Sequence, residues 1–368
     1  MSLTEPPVKK VKIDHSIDAI DNYVENIRDS TKPLKMIIEE DLFNPVPLTK
    51  VYVGQVKNTS MISKTVMLLN EKIPLNGLQH LKRVRKSNII LCPGSFLNGT
   101  SSIQEYLEKN CPELNDVFDY FKEVDVPATP PKVTSQYKEA TKLWSVNFHP
   151  NKYLENIVRD TIFKTNQLGF HRKLMAMTFE VAKWYMVQQN RPIDNDDMFK
   201  DINVGIVYDP TAQLVVAVAF DNRIKHPLQH ATMLAIDNVA KTQNGGAWVL
   251  QEEIYQSDGE LCGINMDLQV YLSEKFHDVR FGARPFVNKM DMLLNNEDLS
   301  TGPYLCTGYY IYLLREPCFM CAMGLVHARI CRTFFCFENK DHGALSSLTK
   351  LHLNPSLNHR FEAFTGFL

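Results

Sequence analysis

The sequence predicts an α/β protein of two domains, and three observations carry that prediction. Residues 34–126 alternate strand-like and helix-like segments. A proline-rich stretch, Val126–Lys132 (Val-Pro-Ala-Thr-Pro-Pro-Lys), then punctuates the chain. From about His171 onward the pattern runs helix, hairpin, helix, strand, helix, strand. A chain of 368 residues is long enough to bury two cores. Its 44% hydrophobic and 22% charged residues are those of an ordinary globular protein.

Taken in order, residues 1–33 are polar and without periodicity, so a mobile basic tail is expected. Within it Lys9-Lys10-Val11-Lys12 follows two prolines and reads either as a nuclear-import signal or as a solvated tail. In the domain at 34–126, Lys50–Val56 alternates like a strand and Ser60–Glu71 has helical spacing. Val84–Cys92 reads as a second strand, while Ser102–Lys109 and Leu114–Lys122 read as helices. That order suggests a small α/β domain, of ferredoxin-like type among the candidates. Residues 127–170 form the expected linker, with Trp144 and Phe148 in it.

The domain at 171–368 opens on an amphipathic helix, His171–Gln189, whose apolar residues include Leu174, Met177, Val181, Trp184 and Tyr185. A hairpin follows, Ile202–Tyr208 and Gln213–Phe220 about the turn Asp209-Pro210-Thr211-Ala212. Then come a helix over Ala231–Thr242 and an insert at about 257–301, which is mixed in pattern and expected as a loop excursion. A strand (Tyr304–Leu314), a helix (Cys318–Arg329) and a strand (Thr333–Phe337) complete it.

No apolar run approaches bilayer length, and the start lacks the apolar stretch of a secretory signal, so an intracellular protein with no membrane partner is expected. The 8 cysteines then read as core residues and metal ligands rather than a disulfide framework. The net charge of −2 argues neither for nor against nucleic acid.

Chemistry concentrates at two helix starts. His226-Pro-Leu-Gln-His230-Ala-Thr232 precedes one, and Arg315-Glu-Pro-Cys318-Phe-Met-Cys321 precedes the other. A histidine and a Cys-x-x-Cys supply three ligands for Zn²⁺ and leave the fourth tetrahedral position open, as catalytic zinc sites do. Cys318 and Cys321 are three apart, so one helical turn sets both sulfurs on one face. Pro317 suits the first helical turn, and the free N–H groups of a helix start favour thiolate over thiol. Alone, Cys-x-x-Cys is weak; with the His-Ala helix start it matches the zinc-deaminase signature. His226 reads as a surface or supporting histidine, His327 as a packed one, and Cys331 and Cys336 as core.

The segment Pro317-Cys-Phe-Met-Cys-Ala-Met-Gly-Leu-Val-His-Ala-Arg-Ile330 resembles the tRNA adenosine deaminases that convert wobble adenosine to inosine. Leu81-Lys-Arg-Val-Arg85, Leu143-Trp-Ser-Val-Asn-Phe-His149, Tyr304-Leu-Cys-Thr-Gly308 and Leu357-Asn-His-Arg-Phe361 resemble, within that family, the non-catalytic subunits of the eukaryotic heterodimeric enzymes. The resemblance implies a cytidine-deaminase-like α/β/α sandwich around a mixed five-stranded sheet, with zinc on His230, Cys318 and Cys321. It further implies an N-terminal domain that grips tRNA, a catalytic subunit as partner, and work in the nucleus and cytoplasm.

Active members carry a glutamate two positions after the histidine, and that glutamate shuttles protons between zinc-bound water, base and leaving ammonia. Here the position is Thr232, whose hydroxyl does not ionise near neutral pH. A non-catalytic role follows. The alternatives are an autonomous deaminase with an unconventional proton shuttle and a zinc-stabilised interaction module without RNA chemistry. Glu316 is no replacement, Asp237 lies nearly two turns along the helix from His230, and Glu252 and Glu253 cannot be placed. The apolar tail Phe361–Leu368 or its terminal carboxylate is expected either to fill the idle pocket or to lie on the surface. For RNA, the densest basic cluster is Lys82, Arg83, Arg85 and Lys86, with Arg329, Arg332, Lys350 and Arg360 as a second patch.

Overall fold

The computed structural model describes residues 10–97, 102–189, 202–248, 254–257, 260–285 and 304–368. In chain order its elements are α1 (Lys10–Asp29), β1 (Lys35–Met36), β2 (Leu48–Val56), α2 (Ile62–Lys72), β3 (Val84–Arg85), β4 (Asn88–Pro93), α3 (Ile103–Asn110), β5 (Phe118–Pro127), α4 (Thr134–Leu143) and α5 (Lys152–Val158). Then follow α6 (Thr165–Gln188), β6 (Val204–Asp209), β7 (Leu214–Phe220), α7 (Ala231–Lys241), β8 (Ile254–Ser257), β9 (Glu260–Asn265), α8 (Met266–Lys275) and β10 (Arg280–Phe281). The chain closes with β11 (Tyr310–Arg315), α9 (Phe319–His327), β12 (Arg332–Phe337) and β13 (Glu362–Thr365). These divide into two units: Glu40–Ile162, and the described residues up to Glu39 together with Phe163–Leu368.

In the unit at 40–162, four antiparallel strands run in the order β3-β4-β2-β5. Leu69, Ile73, Ile103 and Leu107, from α2 and α3 and their ends, bury one face against Val56, Ile89 and Leu91. Ala140, Trp144 and Val146, on and just after α4, cover the other against Val51, Val53, Ile90 and Val126. Ser102 caps α3 through a reciprocal box with Glu105, the hydroxyl accepting from the Glu105 N–H at 3.2 Å.

Three expectations are corrected in this unit. Much of Leu114–Lys122 is strand rather than helix: β5 pairs with β2 from Phe118 to Pro127, a long ladder that satisfies its backbone groups. Gly54 permits that pairing, because a Cβ there would stand 2.5 Å from the Phe118 ring. Val84–Cys92 is a tight hairpin rather than one strand, turned at Lys86 with φ 56°. The prolines at 126–132 end β5 and lead directly into α4, so they lie inside the unit; the divisions fall at 39/40 and 162/163, and the supposed linker carries α4, α5 and the start of α6.

The second unit begins with a helix where a tail was expected. Residues 10–29 form α1, and Ile20, Val24 and Ile27, spaced one and two turns apart, are buried. Asp21 pairs with Lys183 of α6 at 2.6 Å, and Tyr23 meets the Phe179 ring at 5.7 Å. Lys9 falls outside the described residues.

The sheet of this unit is mixed and, among the described residues, has nine strands where five were expected. Its continuous path is β1-β13-β12-β11-β6-β7-β9-β8, with β10 also beside β7. β11, β12 and β13 are mutually parallel, and β6 is antiparallel to both β11 and β7. The insert supplies β9, α8 and β10 and is thus partly regular structure; residues 286–303 lie outside the description. Gly263 lets β9 close on β7, since a Cβ would stand 2.8 Å from the Asn238 carbonyl oxygen and 2.9 Å from Ala217.

Helix α6 lies on one face of this sheet. Helices α7 and α9 bury Leu234, Ala235, Val239, Ala322, Leu325 and Val326 on the other, against Val207, Val216, Ile311, Leu313 and Phe335. Gly205 admits α7 closely, because a Cβ would approach Ala235 at 3.1 Å. No described helix is long and apolar enough to cross a membrane.

Candidate metal centre

The two helices on that face start side by side. His230 is the N-cap residue of α7 and Cys318 that of α9, each with extended backbone, and Cys321 lies one turn into α9. Pro317 precedes the cap rather than opening the first turn, and its carbonyl accepts the Ala344 N–H at 3.0 Å. One imidazole nitrogen and two sulfurs gather within 4.8 Å of one another, with His230 Nδ1 3.7 Å from the Cys318 sulfur. All three predicted ligands are therefore brought together.

The electrostatics suit a cation. The Cys318 thiol is pulled down to about 5, first by the hydrogen bond it receives from Cys321, with further help from the Cys321 and Met320 N–H groups at the helix start and from His230. Cys321 is pushed up, by the same partnership and by burial. One sulfur is thus an anion near neutral pH without any metal, and a divalent ion would complete the ionisation of the second. Two sulfurs and an imidazole on rigid helix starts form a soft-to-borderline set that fits zinc.

The buried polar groups closest to the set are non-ionising or engaged, while Glu338, Asp341 and His342 line the same cavity. Thr232 is fully buried in the first turn of α7, next to Cys321, and its hydroxyl has no other hydrogen-bond partner among the described residues. Glu316, also buried, is saturated. It accepts from the N–H groups of Leu345 (2.9 Å), Ser346 (2.6 Å), Ser347 (3.0 Å) and Asn339 (3.1 Å), and from the Ser347 hydroxyl. Its role is to tie the loop 339–347 beneath the metal helix. Gly343 is required there because a Cβ would overlap the Glu316 carboxylate, and it forms a bridge with Cys318.

Asp237 is likewise occupied, pairing with Lys241 at 2.6 Å and accepting the Ala247 N–H at 2.5 Å. Glu252 and Glu253 lie outside the described residues. The carboxylate that sequence reasoning missed is Asp221, just past β7, which lines the metal cavity together with His230, Cys318 and Cys321. Arg223 holds it through its Nε at 2.7 Å and its N–H at 3.1 Å. Its only sequence signal was its place at the end of a predicted strand.

The cavity encloses about 1080 Å³ and is also lined by Arg223, Arg315, Lys340 and Leu368. The tail neither fills it nor lies loose. Phe364 and Phe367 are fully buried, and Leu368 forms part of the cavity wall.

Other candidates separate from the site. His226 accepts the Leu228 N–H at 3.3 Å as a loop histidine. His327 is exposed at the end of α9 rather than packed, and Cys331 is exposed rather than core, with Cys336 half-buried. The predicted basic cluster is split. Lys82 and Lys86 are exposed, but Arg83 is buried and donates to the carbonyls of Ile90 (3.0 Å), Ile73 (2.7 Å) and Leu91 (3.0 Å) and to Asn70 (2.8 Å). Arg85 donates to the carbonyls of Leu143 and Lys142. Arg83 therefore spends its donors inside its own unit, where it holds three backbone carbonyls and an amide. The second patch loses Arg332, paired with Glu362 at 2.6 Å, and Lys350, which donates to the Ile38 carbonyl at 2.9 Å.

A His and Cys-x-x-Cys set at paired helix starts on an α/β sheet matches the ligand pattern of the zinc nucleobase deaminases, and Thr232 stands two positions after the histidine. No family-wide profile matches the chain. Individual relatives do: it is 31% identical over 357 residues to the probable inactive tRNA-specific adenosine deaminase-like protein 3 of Danio rerio, covering 92% of this chain and 93% of that one. The Mus musculus protein of the same name is 31% identical, over 90% and 88% of the two chains. The tRNA-specific adenosine deaminase subunit tad3 of Schizosaccharomyces pombe is 25% identical, over 88% and 82%. The chain belongs to this family of probable inactive tRNA-specific adenosine deaminase-like proteins 3.

Proposed function

We propose that this chain is the non-catalytic subunit of a heterodimeric tRNA-specific adenosine deaminase that converts wobble adenosine-34 to inosine. It contributes tRNA binding and stabilises a catalytic partner that carries the proton shuttle. The observation that carries this reading is the environment of Thr232: a non-ionising side chain beside the metal ligands, with the carboxylates Glu316, Asp221 and Asp237 each held by other partners. General acid–base catalysis supplies roughly 10²–10⁴-fold, and the buried groups closest to the ligands, Thr232 and Glu316, are a non-ionising hydroxyl and a fully engaged carboxylate. That counts against the autonomous deaminase.

Zinc on His230, Cys318 and Cys321 would here act by joining two helix starts, metal binding adding directly to folding free energy. A zinc held there would also supply Lewis-acid chemistry, but the position beside it belongs to Thr232, whose hydroxyl does not ionise near neutral pH. The β7-β6-β11-β12-β13 core between α6 and the α7/α9 pair supports the α/β/α deaminase sandwich. The strand order β3-β4-β2-β5 in a β-α-β-β-α-β chain supports a ferredoxin-like N-terminal domain. Lys82 and Lys86 remain as candidate phosphate contacts there.

The test is co-expression with a catalytic subunit of the same family, followed by a wobble-inosine assay. Inosine is expected only with both chains present. Turnover by this chain alone would establish the rival, and a complex that forms but binds no tRNA would favour the interaction module. A nuclear as well as cytoplasmic location is inferred from Lys9–Lys12; a chain lacking those lysines that still enters the nucleus overturns their role.

A further inference from the structure

At the other end of the β11–β12 pair from the metal ligands, on the α6 face, a second cavity of about 330 Å³ opens. Four strands set one residue each in register across it: Tyr208 opposite Tyr310, Tyr310 beside Arg332, and Arg332 beside Glu362. The first turns of α6 add Asn166, Phe170 and His171, and the β6–β7 turn adds Gln213. Phe170 and Tyr208 stand 5.0 Å apart at 52°, and the Arg332 guanidinium lies 5.2 Å from the Tyr310 ring centre.

Three properties narrow the ligand. Much of the wall is flat, rings and a guanidinium plane, which favours a planar partner that can stack. The charge is already balanced, Arg332 pairing with Glu362 at 2.6 Å, so an isolated anion is not the favoured guest. Polar groups with both donor and acceptor capacity line or rim the space. Asn166 and Gln213 are exposed primary amides. Gln213 is held at φ 59°, a left-handed conformation uncommon for a glutamine. His171 is 4% exposed and lines the cavity, and only its Nδ1 has a hydrogen-bond partner among the described residues, the Tyr312 hydroxyl at 2.7 Å. Burial and the Arg332 charge hold that imidazole down at about 3, so it offers a neutral polar edge.

We propose that this cavity is a nucleobase-binding pocket, taking one purine or pyrimidine ring between Phe170, Tyr310 and Arg332 and reading its edge with Asn166, Gln213 and His171. The ring is supplied either by a free nucleotide or by an unpaired base of an RNA strand, which present the same chemistry. The inference does not rest on the subunit assignment, since it invokes neither the metal ligands nor a partner chain.

The experiment titrates the full chain with each of the four ribonucleoside 5′-monophosphates and, separately, with a short single-stranded RNA, following ligand-induced shifts of the protein's NMR signals. Saturable binding by at least one probe is expected. Phe170→Ala should weaken it about tenfold or more, the loss of one stacking partner. Gln213→Gly, which keeps the left-handed turn, should weaken it severalfold with an unchanged melting temperature. Binding of mononucleotides alone identifies a free nucleotide as the guest; binding of RNA, alone or as well, identifies a strand base. No saturation by either probe up to about 5 mM overturns the proposal. So does binding that both variants leave intact. Failure of the subunit assignment would be read in the wobble-inosine assay, which uses none of these variants.

Discussion

The two ends of the β11–β12 strand pair are built from opposite materials. At one end lie sulfur, imidazole and a large cavity whose buried carboxylates, Glu316 and Asp221, are engaged. At the other lie clustered, mutually tilted rings, an uncharged histidine and a guanidinium neutralised by its neighbour. The first end gathers three metal-type ligands beside the non-ionising Thr232, while Glu316 anchors a loop and Asp221 receives Arg223. The second end offers planar groups and amides, which suit recognition. Losing catalysis therefore need not mean losing order. The metal end remains the organising centre of its face of the sheet, because two helices and the loop 339–347 converge there.

That contrast breaks most visibly if the metal set is dispensable. Cys318→Ala is predicted to abolish stoichiometric zinc and to cost many kcal/mol, since structural zinc in small domains contributes on the order of 10 kcal/mol to folding. Metal analysis of the purified variant, read beside its melting curve, decides this. A variant that keeps one zinc per chain and its melting temperature would show that the site is not what holds the helices.

Next in size is Glu316→Ala, which strands one buried and three part-buried N–H groups and a hydroxyl. A cost of about 3 kcal/mol or more is expected in denaturant unfolding. If unfolding is unchanged but activity of the assembled complex falls, Glu316 is a chemical group after all, and the contrast between the two ends collapses. At the ring-lined end the expected signature is pH dependence. His171 is held at about 3 against an ordinary 6.5. Between those values the unfolded imidazole takes a proton that the folded one refuses, so stability is full above pH 6.5 and falls as the solution is acidified toward 3. His171→Gln should flatten that part of the stability profile, and an unchanged slope would place the ionisation elsewhere.

Much of the metal end was readable from sequence because spacing alone determines it. Cys318 and Cys321 share a helix face whatever surrounds them, and His230 opens the helix before. What could not be read depends on distant partners. Glu316 looked like part of the motif, and only the folded loop from Asn339 to Ser347 reveals its work. Helix α1 was hidden because its few apolar residues, Ile20, Val24 and Ile27, sit in a polar stretch and gain their meaning from packing. In β5 the residues from Phe118 to Lys122 admit both helix and strand, and pairing with β2 decides. Composition misled most at residues 82–86, where clustered positive charges suggested one shared purpose.

The smallest predicted effect tests that last point. Arg83 satisfies three backbone carbonyls and an amide from a buried position, whereas Lys82 and Lys86 project from the surface of the same unit. Arg83→Met should lower stability by about 2–3 kcal/mol, because buried acceptors lose a charged donor. Its tRNA affinity, measured on the fraction that remains folded, should be unchanged. Lys82→Glu with Lys86→Glu should leave unfolding within about 0.5 kcal/mol of the parent, as exposed substitutions do. Affinity for tRNA should drop severalfold, and the salt dependence of binding should become shallower by about one power of salt for each phosphate no longer neutralised. If reversing both lysines leaves affinity and salt slope alone, the basic run plays no part in RNA docking. If Arg83→Met shallows the slope without unfolding the unit, charge and not structure was its purpose.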